Sequence, residues 1–159
     1  MRSFAVAAIL ATTIGTASAQ GSAGPECGSF ALIGGEKGVN PLDHPPQGES
    51  PGDSRTGWRK LVDGAGEEIG EVHFVATVTA TARAGGGNVL ASKYFVKFPN
   101  GWVASDSLYE LPDAADTSQR AGNATLVVTG GTEAFDGVKG KIVIEAGDPP
   151  TYVFDLVCE

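Results

Sequence analysis

Thr129-Gly130-Gly131-Thr132-Glu133-Ala134-Phe135-Asp136-Gly137-Val138-Lys139-Gly140 lies between two apolar alternating runs, Leu126 to Val128 and Lys141 to Ala146. The first run ends in paired glycines. A tight turn then buries one aromatic, Phe135, and two more spaced glycines lead into the next strand. Glycine at four of these twelve positions means a backbone that adopts positive φ or packs too closely for a side chain. The punctuation identifies a scaffold rather than a reaction.

Outward from this corner, apolar residues recur with a period of two and nowhere sustain a helical period. Ser29 to Ile33 reads as a short strand. Gly34 to Ser54 reads as a long loop, with prolines at 41, 45, 46 and 51. Further strands are expected at Arg55 to Val62, Ile69 to Arg83 (the longest), Val89 to Phe98, Trp102 to Leu111, Ala124 to Thr129, Lys141 to Ala146 and Thr151 to Val157. Pro99-Asn100-Gly101 and Asp63-Gly64 supply turns, and Pro112 to Gly122 is a polar loop. The expectation is all-β: eight antiparallel strands in a single domain, closed into a barrel that leaves no free edge.

The first nineteen residues stand outside that domain. Arg2 gives a positive start, Phe4 to Ile14 is largely apolar, and Ala17-Ser18-Ala19 fits a cleavage site. Residues 1–19 thus read as a secretory signal peptide, too short to span a bilayer, and residues 20–159 as the exported domain. Its formal charge becomes −9, because Arg2 is the only charge removed from a chain at −8. An acidic domain lacks the basic footprint that nucleic acid requires, and anionic membranes are equally poor partners. In an oxidising compartment the two cysteines, Cys27 and Cys158, are expected to form one disulfide between the chain's two ends. Closing so long a loop stabilises by roughly 4–5 kcal/mol in the chain-entropy model. A reactive or metal-binding thiol pair is the competing reading. Asn123-Ala124-Thr125 is an N-glycosylation sequon.

The glycine corner resembles that of the small barrels shared by plant allene oxide cyclases and dirigent proteins. Gly52-Asp53 opening a strand, and Lys60-Leu61 followed by Asp63-Gly64 and Ile69-Gly70, fit the same pattern. The resemblance covers roughly residues 28–157. It implies an eight-stranded barrel, a dimer or trimer, and an apolar cavity for a small hydrophobic substrate. The cyclases isomerise an unstable fatty-acid epoxide; the dirigent proteins steer the coupling of phenoxy radicals. The acidic residue of the cyclases' first strand falls at Ala31, and their second-strand asparagine at Arg59. Their fifth-strand tyrosine is matched by Tyr109.

Alternation assigns the faces independently of family. Val72, Phe74, Ala76, Val78 and Ala80 share one side of the long strand, against Glu71, His73, Thr77, Thr79 and Thr81. The apolar set lines the interior. By the same reasoning Tyr94, Val96 and Phe98, Ile142 and Ile144, and Tyr152, Phe154 and Leu156 point inward. Asp106 and Glu110 turn the opposite face of the fifth strand outward, which places Tyr109 inside. All three tyrosines of the chain then project into one lumen, where each buried hydroxyl requires a partner. Tyr109 and Arg59 are the candidate catalytic residues. Tyr94, Tyr152, Phe74 and Phe154 are the candidate substrate-binding residues. Trp58, Trp102, Phe95 and Val143 fall on the outer face, where exposed aromatics suggest a subunit contact.

Other chemistries lack their residues. With His44 in a proline-rich loop, His73 facing out and the cysteines paired, no transition-metal cluster is expected, nor any other cofactor. Nothing resembles a nucleophile elbow, and Gly140-Lys141 lacks the rest of a phosphate loop. Glu110, Asp113 and Asp116 fit no calcium-loop spacing. The resemblance, together with the inward tyrosines, implies binding of a hydrophobic small molecule and direction of its cyclization, isomerization or stereoselective coupling. An enzyme of this kind would be a cofactor-independent isomerase or cyclase. A lipocalin-like binding protein without turnover, or an exported interaction protein with a filled core, is the alternative.

Overall fold

A computed structural model describes residues 24–48, 50–81, 87–110 and 123–158. The segment expected to be a signal peptide, the expected polar loop with Asp113 and Asp116, and Arg83, Gly85, Gly86 and Leu111 lie outside the described residues. Eight strands follow in order: β1 (Gly28–Leu42), β2 (Ser54–Val62), β3 (Glu68–Ala80), β4 (Val89–Phe98), β5 (Gly101–Glu110), β6 (Ala124–Gly131), β7 (Lys139–Glu145) and β8 (Thr151–Val157). Each pairs antiparallel with the next, and β8 pairs with β1, so the barrel is closed.

The first strand corrects the sequence reading. It continues through Gly34-Gly35 to Leu42, and is longer than β3, so the loop begins only at Asp43. The glycine pair makes a bulge: Gly34 pairs with Leu61 and Lys37 with Arg59, so β1 carries one extra residue. Pro41 is tolerated because β1 pairs with β8 only over Gly28–Ile33. Beyond that point the strand has β2 on one side alone, and a missing N–H breaks no second ladder.

The extra residue also inverts which side chains face inward. Leu32 and Gly34 are buried before the bulge. After it Lys37, Val39 and Pro41 sit opposite Arg59, Gly57 and Arg55 of β2. Glu36 is turned outward and pairs with Lys60 at 3.5 Å.

The faces assigned by alternation agree with burial on β3, β4, β5, β7 and β8. One end of the barrel is sealed. Phe135 sits on a single 3-10 turn, Glu133–Phe135, and is fully buried against Phe98, with ring centroids 5.4 Å apart. Phe30, Phe98 and Phe154 pack beside it, Phe30 and Phe154 stacking at 4.7 Å. Gly131 is required at this corner, because a Cβ there would meet the Phe135 carbonyl oxygen. The Cys27–Cys158 disulfide, 131 residues apart in sequence, ties the outer ends of β1 and β8 together. Its half-buried sulfurs pack against the same aromatic core.

At the opposite end the loop after β1 is latched by Asp53. Its carboxylate accepts from the backbone N–H groups of His44 (2.8 Å) and Ser50 (2.7 Å). The backbone of Asp53 and Gly52 bonds to Val78 of β3. The two backbone N–H donors hold the Asp53 carboxyl below the usual aspartate value.

Candidate functional site

Near the latched end lies a hollow of about 270 Å³. Tyr94, Tyr109 and Tyr152 line it with Arg59 and Phe74, and Lys37, Val39, Arg55, Ala76, Leu90 and Ile144 complete the wall. Tyr94 of β4, Tyr109 of β5 and Tyr152 of β8 come from separate strands. They converge because each occupies the inward parity of its strand.

Two of the phenols, Tyr94 and Tyr152, are shifted by this setting. Burial pushes the Tyr94 hydroxyl above its ordinary range. The neighbouring phenols of Tyr109 and Tyr152 act in the same direction. Burial also raises Tyr152, opposed by the positive charge of Arg59. Both groups are therefore neutral hydroxyl donors at any physiological pH. Tyr94 stacks on Phe74, with ring centroids 5.7 Å apart. Phe74 fits because Gly57 opposite it has no side chain: a Cβ there would stand 2.7 Å from the ring.

Arg59 is held by the β1 bulge. Its Nη1 donates to the carbonyls of Gly34 (3.4 Å) and Gly35 (3.2 Å). Gly34 leaves the space the side chain occupies, since a Cβ there would lie 2.7 Å from Arg59 Cδ. The glycine pair that reads as a strand stop in the sequence is thus the cradle of an inward arginine.

Of the residues singled out from sequence, the structure brings Arg59, Tyr94, Tyr109, Tyr152 and Phe74 together. Phe154 shares their inward phase but not their depth. It is fully buried among Phe30 and Phe98 at the sealed end, away from the hollow's lining. Ala31 is exposed. Asn123 is exposed just before β6, its side-chain oxygen accepting from the Ala146 N–H at 3.0 Å. Trp58 stands at the edge of the hollow with its indole over Gly38.

Lys37, Val39 and Arg55 were missed. The first two fell in the supposed loop; Arg55 shares the parity of Arg59 and Leu61, a signal the sequence does contain. Two buried hydroxyls, Ser92 Oγ and Ser105 Oγ, have no hydrogen-bond partner. Ser105 is the cross-strand neighbour of Tyr94.

A larger trough of about 660 Å³ runs over the outer surface along Phe95, Trp102, Ala104 and Gly130 to Glu133. Phe95 and Trp102 are exposed there. No set of polar side chains converges in it, so the lumen is the better ligand site. Among the described residues no three His, Cys, Asp or Glu side chains come together as a metal site.

No protein-family model matches the chain, and no curated protein matches it. Solved structures do. Pyocyanin demethylase superposes with a TM-score of 0.68 at 18% identity, covering 81% of this chain and 99% of that one. The Diels Alderase AbmU from Streptomyces koyangensis gives 0.59 at 17% identity, covering 81% of this chain and 63% of that one. A nonspecific heme-binding cyclase of neoabyssomicin biosynthesis also gives 0.59 at 17% identity, covering 82% and 65%. The chain thus spans just under two thirds of the two cyclases. At these identities the likeness is one of fold. The chain shares its closed barrel with a demethylase and with two cyclase-type proteins, and allene oxide cyclase kinship in particular rests on the sequence motifs alone.

Proposed function

We propose that this chain is an exported barrel that binds a compact hydrophobic small molecule in the phenol-lined hollow and directs its cyclization, isomerization or stereoselective coupling. The observation that carries the reading is the convergence of Tyr94, Tyr109, Tyr152 and Arg59 on one apolar cavity. The wall of Phe74, Leu90, Ala76 and Ile144 would fold the substrate into one reactive conformer and keep water away. The neutral phenols would donate to its oxygens. Arg59, already fixed by two carbonyls, would stabilise negative charge that develops in the transition state without having to reorganise. Two of the three neighbours named above are cyclase-type proteins and the third is a demethylase; the two support a reading in which the barrel controls substrate conformation.

One observation favours binding without turnover as a second reading. Among the described lining residues there is no carboxylate, imidazole or thiol, so general-base chemistry lacks a group with a suitable pKa. Product analysis separates the two. With a polyene or phenoxy-radical substrate, Tyr109→Phe and Tyr152→Phe are expected to lower stereoselective product yield about tenfold or more while the protein stays folded. Unchanged yield and stereochemistry in both variants would remove the phenols from the mechanism. A wild-type protein that binds the substrate but leaves its product distribution at the uncatalysed ratio would support binding alone.

A further inference from the structure

Among the described residues that line the hollow, the charged side chains carry one sign. Lys37 of β1 and Arg55 and Arg59 of β2 line it, together with the phenols, and no aspartate or glutamate is among the described lining residues. The chain as a whole has a net charge of −8, so this mouth is a local reversal of the surrounding field. The reversal is built by the backbone. The bulge at Gly34–Lys37 swings Glu36 outward onto Lys60, at 3.5 Å, and sets Lys37 opposite Arg59. A regular strand would have presented the carboxylate there instead. Low-dielectric walls lined by cations focus the potential and draw in anions.

We propose that the ligand of this site is a compact apolar molecule bearing one anionic group, a carboxylate or its equivalent, bound at the mouth by Lys37 and Arg59. The inference rests on the ligand-binding reading above and narrows it to a substrate class. Nη1 of Arg59 is committed to the Gly34 and Gly35 carbonyls. The remaining guanidinium N–H groups form the planar fork that suits a carboxylate. Tyr152 lies within the influence of that guanidinium, so its hydroxyl would donate to the same anion. The apolar body would extend past Tyr94 and Tyr109 to Phe74, Ala76 and Leu90. A hollow of about 270 Å³ is at the small end of ligand sites, which run from about 300 to 1,000 Å³. That size suits one or two rings better than a long acyl chain.

Calorimetric titration of the disulfide-bonded protein with naphthoate and with its neutral isostere naphthamide tests the proposal. Naphthoate is expected to bind about tenfold or more tightly than the amide, with the advantage shrinking as salt is raised. Lys37→Gln and Arg59→Gln should each bring the ratio of the two affinities toward one, and Lys37→Arg should restore it. Equal binding of the two probes would overturn the anionic class and leave the hollow as a neutral site. A preference that survives both Gln variants would place the anion elsewhere and likewise overturn the proposal. If neither probe binds, the ligand-site reading beneath it fails too.

Discussion

The three phenols show what alternation reads well and what it does not. Parity along β4, β5 and β8 places Tyr94, Tyr109 and Tyr152 inside the barrel, and the structure gathers them on one hollow. Parity assigns a face but not a height. Phe154 lies two residues beyond Tyr152 on the same face, yet it belongs to the sealed aromatic end. Height follows from strand stagger around the whole ring, which no single strand encodes. The burial of the phenols has a measurable consequence. Tyr94 and Tyr152 are raised above the ordinary tyrosine value of 10.0. Their neutral forms stabilise the fold fully below pH 10, and that contribution is lost as pH climbs toward the folded-state values, because only the unfolded chain ionises readily. In a spectrophotometric alkaline titration, Tyr94 and Tyr152 should ionise only together with loss of the β-sheet circular dichroism. Reversible ionisation of Tyr94 and Tyr152 near pH 10 with the sheet intact would contradict their burial.

Among the elements, β1 is the one the sequence misleads about. Two glycines followed by Pro41, Pro45 and Pro46 look like a strand ending in a loop. A bulge uses the same residues, and the absence of a second neighbour past Ile33 lets proline stay in the strand. What cannot be read locally is that β1 continues past its bulge to pair with β2, whose own extent the alternation did give. The glycines of the two corners differ in kind, and alanine substitutions should separate them. At Gly34 the new Cβ meets the Arg59 side chain, which can move away. Gly34→Ala should cost less than about 1 kcal/mol in chemical denaturation while displacing the guanidinium and weakening anion binding. Gly140 has φ +136°, and a Cβ there meets the Asp155 backbone carbonyl. Gly140→Ala should cost more than about 2 kcal/mol. A reversed order of the two losses would contradict the account of the bulge.

At the scale of the whole molecule, closure of the sheet was legible because eight alternating runs with turn residues between them leave a barrel as the edge-free arrangement. The terminal cysteines agreed with it, since β8 returns to β1 and brings Cys27 and Cys158 to a Cα separation of 5.9 Å. A bridge across 131 residues constrains the unfolded chain strongly. Its reduction should lower unfolding free energy by about 4–5 kcal/mol and the Tm by about 10–15 °C. A loss below about 1 kcal/mol would show that the barrel's ends are held by the aromatic plug alone. What the sequence does not display is the asymmetry of the finished barrel: one end plugged by Phe135 and its aromatic neighbours, and a hollow nearer the other end with Lys37, Arg55 and Arg59 on its β1–β2 side.

The decisive measurement is nuclear magnetic resonance mapping of naphthamide, a neutral aromatic probe that can enter either the lumen or the outer trough. The largest shifts are predicted at Tyr94, Tyr109, Tyr152 and Phe74, saturating at one probe per chain. Shifts confined to Phe95 and Trp102, or no saturable shifts at all, would contradict the claim that this barrel is hollow in order to hold a ligand.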